Sequence, residues 1–150
     1  MVNLITDPVF DWYALAAIVV ALTLYGLGFN TAKVRAERKI VVNAEDAGIN
    51  GNARVEDSEH ADVLRIKRAH LNALENAVPF FLLGFLYALT SPSLGMARGL
   101  YLTFVVVRLF HAFFYLSAKQ PFRTASFGVG ALVNVIMAVQ VLRAVVPHLS

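Results

Sequence analysis

Three polar side chains share one face of a predicted helical segment whose second half is apolar. Within residues 65–80, which read RIKRAHLNALENAVPF, Arg68, Asn72 and Glu75 are spaced i, i+4 and i+7. An α-helix brings residues with that spacing onto one stripe of its surface. A guanidinium, an amide and a carboxylate on one stripe are suited to a ligand that carries both anionic and cationic groups.

A second polar set lies in another apolar segment, residues 99–116. Here Arg108, His111 and Tyr115 follow one another at i, i+3 and i+7. Ionisable groups within a membrane are costly, so they face the interior of a bundle and find partners there. One interpretation is that Glu75 and Arg108 neutralise each other as a structural ion pair that holds two helices in register. The alternative is that both sets face a ligand.

Six arginines lie at or near one end of the predicted helix bundle. Glu75 is the one carboxylate predicted to lie inside that half of the bundle. Guanidinium groups without a partner bind carboxylates in a bidentate manner. A ligand with two carboxylates and an ammonium group would complement the set, with Glu75 binding the ammonium. Contact with anionic lipid headgroups is the competing interpretation for some of these arginines, whereas ligand binding is favoured for Arg68 and Arg123. The arginines are Arg35, Arg38, Arg65, Arg68, Arg108 and Arg123.

Membrane helices are needed to position these side chains. The 150 residues are 58% hydrophobic and 15% charged, against roughly 25% charged in an average soluble domain. We predict four spanning helices at about residues 10–36, 62–90, 96–118 and 122–146, since only helices satisfy their own backbone in lipid. The second reaches spanning length only if it extends back through Asn72 and Glu75. The expected fold is one all-α domain over residues 1–150, an integral membrane four-helix bundle.

The connections predict how the helices are arranged. Short turns at residues 91–95 and 118–121 imply antiparallel neighbours, and the polar stretch at about residues 40–60 is predicted to be a solvated loop. Ten of the 13 basic residues lie on the side of this loop, and only Arg98 and Arg143 lie on the other. By the positive-inside rule the loop side faces the cytoplasm. The first apolar segment lacks the basic start and the cleavage site of a signal peptide.

Composition excludes several kinds of chemistry. With no cysteine, the chain has no disulfide, no cysteine metal ligand and no thiol nucleophile of its own. Any sulfur chemistry must therefore come from a ligand. The excess of 13 Lys and Arg over 10 Asp and Glu is too small to indicate a nucleic-acid partner. We also predict no metal site.

Four segments together resemble the MAPEG family, the membrane-associated proteins in eicosanoid and glutathione metabolism. They are VRAERKIVVNAED at residues 34–46, RAHLNALENAVPFFLLGFLY at 68–87, RLFHAFFYL at 108–116 and PFRTASF at 121–127. The similarity covers nearly the whole chain. It is greatest to the branch of the family that contains glutathione transferases and prostaglandin E synthases.

The resemblance implies a homotrimer in a lipid bilayer, with glutathione as cofactor in a pocket between adjacent subunits. Catalysis is assigned by position to Arg123, near the glutathione sulfur, and to the neighbouring hydroxyl of Thr124. The implied binding residues are Arg35, Arg68, Asn72, Glu75, Arg108, His111, Tyr115, Arg123 and Phe127.

The implied activity is that of a detoxifying transferase, in which the glutathione thiolate attacks lipophilic electrophiles, with lipid hydroperoxide reduction as a related reaction. Thr124, Phe127 and Leu71 stand where prostaglandin synthases have serine, tyrosine and arginine, which favours the transferase. A prostaglandin E synthase-type isomerase and a non-catalytic lipid-binding scaffold remain alternatives. The resemblance is compatible with a bacterial inner membrane or the endoplasmic reticulum, with the site facing the cytoplasm.

Overall fold

Four long helices dominate the computed structural model, which describes residues 6–49 and 51–149. They are α1 (Pro8–Arg38), α3 (Ala61–Leu89), α4 (Leu94–Leu116) and α5 (Gln120–Val145). Between α1 and α3 lie β1 (Ile40–Val41), α2 (Asp46–Ile49) and β2 (Arg54–Val55), and a 3₁₀ turn at Val146–His148 follows α5. Each long helix is long and apolar enough to cross a membrane. The predicted all-α membrane bundle of four helices is confirmed.

The first helix extends well beyond the thickness of a bilayer. It begins at Pro8, where the Asp7 carboxylate caps the helix by accepting a hydrogen bond of 2.8 Å from the backbone N–H of Val9. It is 31 residues long and ends at Arg38, after which Lys39 adopts the left-handed conformation. About 20 residues suffice to span the hydrocarbon core, so the last turns of α1, which carry Arg35, extend toward water.

Tight turns at both ends of α4 make its neighbours antiparallel. Ser91 has φ +52° in the turn between α3 and α4, and Ala118 has φ +57° in the turn between α4 and α5. Single left-handed residues of this kind reverse the chain within three or four residues. The ends of α1 and α4 and the starts of α3 and α5 therefore lie together, and we call this the basic end of the bundle.

The opposite half of the bundle is held by a cluster of aromatic rings. Phe80 and Phe104 stack with centroids 4.0 Å apart, while the Tyr13 and Tyr101 hydroxyls donate hydrogen bonds of 2.9 Å to backbone carbonyls of α3. Tyr101 bonds to the carbonyl of Gly84, where an added Cβ would lie 3.1 Å from the Tyr13 ring. Close packing with satisfied hydroxyls fixes the spacing of α1, α3 and α4.

The segment between α1 and α3 is more ordered than the sequence predicts. The backbone N–H of Arg54 donates to the carbonyl of Lys39, and that of Glu56 to the carbonyl of Val41, both at 2.9 Å. These bonds pair β1 with β2 in parallel and bury Val41 and Ala53. The polar stretch predicted as a solvated loop is largely exposed, but it contains a short strand pair that the sequence did not indicate. Two-residue strands are too short for hydrophobic periodicity to reveal them.

Candidate functional site

A polar cavity of about 390 Å³ opens at the basic end, between α3, the end of α4 and the start of α5. Its volume falls within the range of about 300–1,000 Å³ that is usual for small-molecule sites. Arg68, Tyr115 and Arg123, three of the predicted site residues, line this one cavity. The full lining is Ala61, Leu64, Arg65, Arg68, Tyr115, Ala118 and Arg123.

Arg123 is held against the wall of the cavity by an aromatic ring. Its guanidinium carbon lies 4.6 Å from the centroid of the Tyr115 ring, which is cation–π geometry. A stacked guanidinium keeps its in-plane N–H donors free for an anion. Arg123 also lies in the first turn of α5, where the partial positive charge of the helix dipole adds to its own. This corner of the cavity is therefore strongly suited to negative charge.

Two further predicted residues support that wall from behind. The His111 ring lies 5.7 Å from the Tyr115 ring and 6.3 Å from the Phe127 ring, measured between centroids. His111 is buried, whereas Phe127 is exposed on the outside of α5. Neither contributes to the lining of the cavity. His111 thus packs against Tyr115, and Phe127 extends the aromatic row from His111 to the exposed surface of α5.

The arginines that line the cavity have no carboxylate partner. Within the described part of the chain, no carboxylate oxygen lies within 4.0 Å of the guanidinium of Arg65, Arg68 or Arg123. Like charges gathered in one concave site create a positive potential that attracts anions. The cavity is therefore suited to an anion by charge as well as by shape.

Arg35 and Arg38, at the same end, are already paired. Arg35 forms a two-pronged ion pair with Glu59, which also accepts a hydrogen bond of 3.1 Å from Lys67. Arg38 bonds to Asp62 at 2.6 Å. The hydrogen bond from Arg35 holds the pKa of the Glu59 carboxyl below its usual value, and Lys67 adds to that effect. Neither Arg35 nor Arg38 lines the cavity.

The sequence interpretation overestimated the unpaired positive charge because it missed these pairs. Glu59 lies 24 residues after Arg35, and Asp62 lies 24 residues after Arg38. Antiparallel packing of α1 and α3 brings each pair together, and no local spacing signals it. Conversely, Arg65, for which the sequence leaves both a ligand and a lipid headgroup open, lines the cavity. Its position three residues before Arg68 was the available signal.

The alternative of a Glu75–Arg108 ion pair is wrong for this chain. Arg108 is only 5% exposed, and its Nη2 donates to both the backbone oxygen and the Oδ1 of Asn72, each at 3.2 Å. Glu75 is exposed instead. Arg108 lies against Gly130 of α5, where an added Cβ would be 3.3 Å from its Cδ. The Arg108 side chain therefore packs against α5 at Gly130 and bonds to Asn72 of α3.

Glu75 and Thr124 are exposed and do not line the cavity. Thr124 follows Arg123 directly in the first turns of α5, and its side chain is exposed. Glu75 lies near the middle of α3, a membrane-spanning helix. A carboxylate exposed to lipid at that depth costs several kcal/mol.

Comparisons with known proteins give matches along most of the chain. The profile of the MAPEG family matches residues 13–143. Microsomal glutathione S-transferase 1 of Homo sapiens is 35% identical over 147 residues, which cover 95% of this chain and 95% of the relative. The Rattus norvegicus protein of the same name is 39% identical over 132 residues, covering 85% and 84%. Prostaglandin E synthase of Homo sapiens is 31% identical over 145 residues, covering 96% and 95%.

Proposed function

This chain belongs to the MAPEG family, and on that premise we propose that it is a membrane-bound glutathione transferase. Its task would be to activate the glutathione thiol for attack on lipophilic electrophiles. Relatives named for glutathione transfer match along 95% of the chain. The observation that carries the proposal is the cavity in which Arg65, Arg68 and Arg123 have no carboxylate of their own.

The cavity fits glutathione in charge and in size. Glutathione carries two carboxylates, one ammonium group and one thiol. Arg65 and Arg68 would bind carboxylate oxygens through their guanidinium donors, and Arg123 would lie at the sulfur. Glu75 would take the ammonium group, which accounts for a carboxylate on that face of α3. The volume of about 390 Å³ suits a tripeptide.

The proposed mechanism is activation of a nucleophile by a fixed positive charge. Glutathione, when bound, supplies the thiol. A free thiol has a pKa of about 8.5, and a guanidinium beside it in a partly desolvated site favours the ionised form. Tyr115 keeps Arg123 in place for this role, and Thr124 offers a neighbouring hydroxyl donor. Conjugation then forms a sulfur–carbon bond while the leaving group departs with its electron pair.

Reduction of lipid hydroperoxides is proposed for the same site. Two glutathione molecules and one hydroperoxide would give one disulfide, one alcohol and one water. This reaction needs the same ionised sulfur and no further group on the protein. A coupled assay with glutathione reductase, following NADPH loss on addition of a lipid hydroperoxide, tests it. Activity that is lost on Arg123→Ala supports a shared site, and no hydroperoxide-dependent rate rejects the reaction.

We propose that three copies assemble around the exposed face of α3. The exposure of Glu75 in a spanning helix supports a protein cover for that face. In such a homotrimer the pocket would lie between adjacent subunits. Native mass spectrometry in detergent should give three times the 16.4 kDa chain mass. A monomer that binds glutathione with full affinity would reject this arrangement.

The chain is a multi-pass integral membrane protein, and its orientation is part of the proposal. The excess of basic residues predicts that the basic end faces the cytoplasm, in a bacterial inner membrane or the endoplasmic reticulum. Glutathione would then enter from the cytoplasm, whereas the lipophilic substrate would arrive through the bilayer. The exposed ring of Phe127 marks that outer side of α5.

Binding and turnover of the purified chain test the function directly. In detergent or lipid nanodiscs, calorimetry should show saturable glutathione binding, and chlorodinitrobenzene should be conjugated. Arg143→Ala provides the matched control, because Arg143 is an exposed arginine at the opposite end of the bundle. It should retain both properties. Absence of both binding and turnover in the wild-type chain would reject a glutathione enzyme.

An isomerase of the prostaglandin E synthase type is the second candidate. The 31% identity to Prostaglandin E synthase over 96% of the chain favours it, as does a hydroxyl next to Arg123. Incubation with a prostaglandin endoperoxide and glutathione separates the two activities. We expect isomerisation no faster than the background rate. Isomerisation that disappears in Thr124→Ala and returns in Thr124→Ser would establish the isomerase instead.

A lipid-binding scaffold is the remaining alternative. It has no use for unpaired arginines in a polar cavity. Saturable fatty-acid binding by a chain that fails to bind glutathione would favour the scaffold over both enzymes.

A further inference from the structure

A chain of buried polar side chains links α3, α4 and α5 behind the cavity. Arg108 donates to Asn72 as described, and Asn76 donates from Nδ2 to the backbone oxygen of Asn72 at 3.0 Å. Asn134 of α5 donates from Nδ2 to the backbone oxygen of Asn76 at 3.4 Å. Arg108, Asn76 and Asn134 are all buried, whereas Asn72 is half-buried. Asn72 is therefore the end of the chain that is nearest the surface.

The chemistry of the guanidinium decides how the Asn72 amide is oriented. A guanidinium has only donors, whereas an asparagine amide has an acceptor oxygen and a donor nitrogen. The oxygen of Asn72 must therefore face Arg108, which agrees with the distance of 3.2 Å between Nη2 and Oδ1. The NH₂ group then points away from Arg108, and Asn72 shares its helical stripe with Arg68 and Glu75.

Close packing restricts the position of the Arg108 side chain. Its Cδ would lie 3.3 Å from a Cβ added at Gly130, so the side chain passes directly over that glycine. No carboxylate oxygen within the described residues lies within 4.0 Å of its guanidinium. A buried cation without an anion is costly in a membrane bundle, and such groups usually serve function.

We infer that Arg108 is a positioning residue that never touches glutathione and instead fixes the Asn72 amide with its NH₂ group toward the ligand. Asn72 then acts as a donor to a carboxylate or peptide carbonyl oxygen of the tripeptide, and it cannot serve the ammonium group. This inference rests on the proposed function for its ligand. The orientation of the amide itself is a property of the free protein.

A double-mutant cycle on glutathione affinity tests the indirect role. Arg108→Met should weaken binding about tenfold, the size of one charge-assisted hydrogen bond. In an Asn72→Ala background the same change should have less than about a twofold effect, since Arg108 acts only through Asn72. Equal losses in both backgrounds would overturn the inference, because Arg108 would then contact the ligand itself.

Asn134→Ala is the matched control for damage to the buried chain. It removes a buried hydrogen bond to Asn76 without touching Asn72. We expect it to lower the melting temperature while glutathione affinity stays within about twofold of the wild type. A loss of affinity as large as that of Arg108→Met would contradict a specific role for the Arg108–Asn72 contact.

A second variant tests the orientation without glutathione. In Asn72→Asp a carboxylate oxygen replaces the amide oxygen opposite Arg108, so the melting temperature of the free protein should be retained or raised. In an Arg108→Met background the same change should lower it, because a buried carboxylate is left unpaired. Destabilisation that is equal in both backgrounds would overturn the orientation, whether or not the wild-type chain binds glutathione.

The same variant separates orientation from function. Asn72→Asp offers no N–H donor, so glutathione affinity should fall about 100-fold or more while the fold is kept. Unchanged affinity would overturn the donor role of Asn72. A wild-type chain that binds no glutathione would reject the proposed function, and the melting temperatures would still decide the orientation.

Discussion

The arginines at the basic end fall into two groups that differ in what surrounds them. Arg35 and Arg38 of α1 meet Glu59 and Asp62. Arg123 of α5 and Arg68 of α3 meet no carboxylate within the described residues. The two groups have the same residue type and lie at the same end of the bundle. The neighbouring side chains therefore decide which arginines are free to bind a ligand.

The unequal distribution of acidic residues explains the difference. Residues 76–150 contain no Asp or Glu, so α4 and α5 have no carboxylate with which to neutralise Arg123. The start of α3 and the segment before it are acidic, and they pack against the end of α1, where they neutralise its arginines. A binding site for an anion thus arises where the chain supplies positive charge alone.

Arg123→Ala should have the largest effect in this comparison. It removes the charge held over Tyr115 at the proposed position of the sulfur. We expect kcat/KM for conjugation to fall by about 100-fold or more, as for loss of a group that stabilises charge in the reaction. Steady-state assays measure it, with Arg143→Ala as control. Conjugation at the wild-type rate would remove Arg123 from the catalytic site.

Arg68→Ala should weaken glutathione binding without a comparable loss of turnover. A guanidinium that binds a carboxylate contributes through charge-assisted hydrogen bonds, so we expect the Kd to rise about tenfold. Calorimetry gives the Kd, and saturating assays give kcat. A reduced kcat with an unchanged Kd would place Arg68 in the chemistry instead. Arg68→Lys should recover part of the affinity, because lysine keeps the positive charge but lacks the bidentate N–H donors of the guanidinium.

Glu59→Gln should affect stability more than activity. Glu59 is 12% exposed and accepts from both Arg35 and Lys67. Losing its charge should lower the free energy of unfolding by about 1–2 kcal/mol. Thermal unfolding in detergent measures this. Glu56→Gln is the control, because the partner of Glu56, Arg54, is 75% exposed, and it should cost much less.

The same carboxylate gives a pH dependence of defined sign. The pKa of Glu59 is lowered from its usual 4.5, first of all by the hydrogen bond from Arg35. A lowered pKa in the folded state stabilises the protein above the unfolded value, and this stabilisation is lost as the pH falls below it. The melting temperature of the wild type should therefore fall below about pH 4.5 more steeply than that of Glu59→Gln. Parallel curves would contradict this assignment.

Arg38→Ala should have the smallest effect. The side chains of Arg38 and Asp62 are 54% and 46% exposed, and exposed ion pairs contribute about 0.2–1 kcal/mol. Glutathione affinity should stay within about twofold of the wild type, because Arg38 does not line the cavity. A loss as large as that of Arg68→Ala would show that pairing within the chain does not remove an arginine from the site.

Sequence alone predicted much of the fold and part of the site. The four helices and the shared face of Arg68, Asn72 and Glu75 follow from apolar length and spacing. The sequence left open whether Arg108 pairs with Glu75, and in the structure it bonds to Asn72. Glu75 and Asn72 lie on neighbouring positions of one stripe, so spacing cannot choose between them. The pairing of β1 with β2 was missed, because strands of two residues leave no pattern.

What the sequence by itself determined is the membrane bundle and its excess of positive charge at one end. Backbone groups in lipid must be satisfied locally, so apolar length fixes helices. Residues 76–150 contain no acidic residue, so the later arginines have no carboxylate on their own helices. Only the tertiary structure decided which arginines are paired, which line the cavity and which one holds Asn72. Those outcomes depend on side chains far apart in the chain, which meet only when the helices pack.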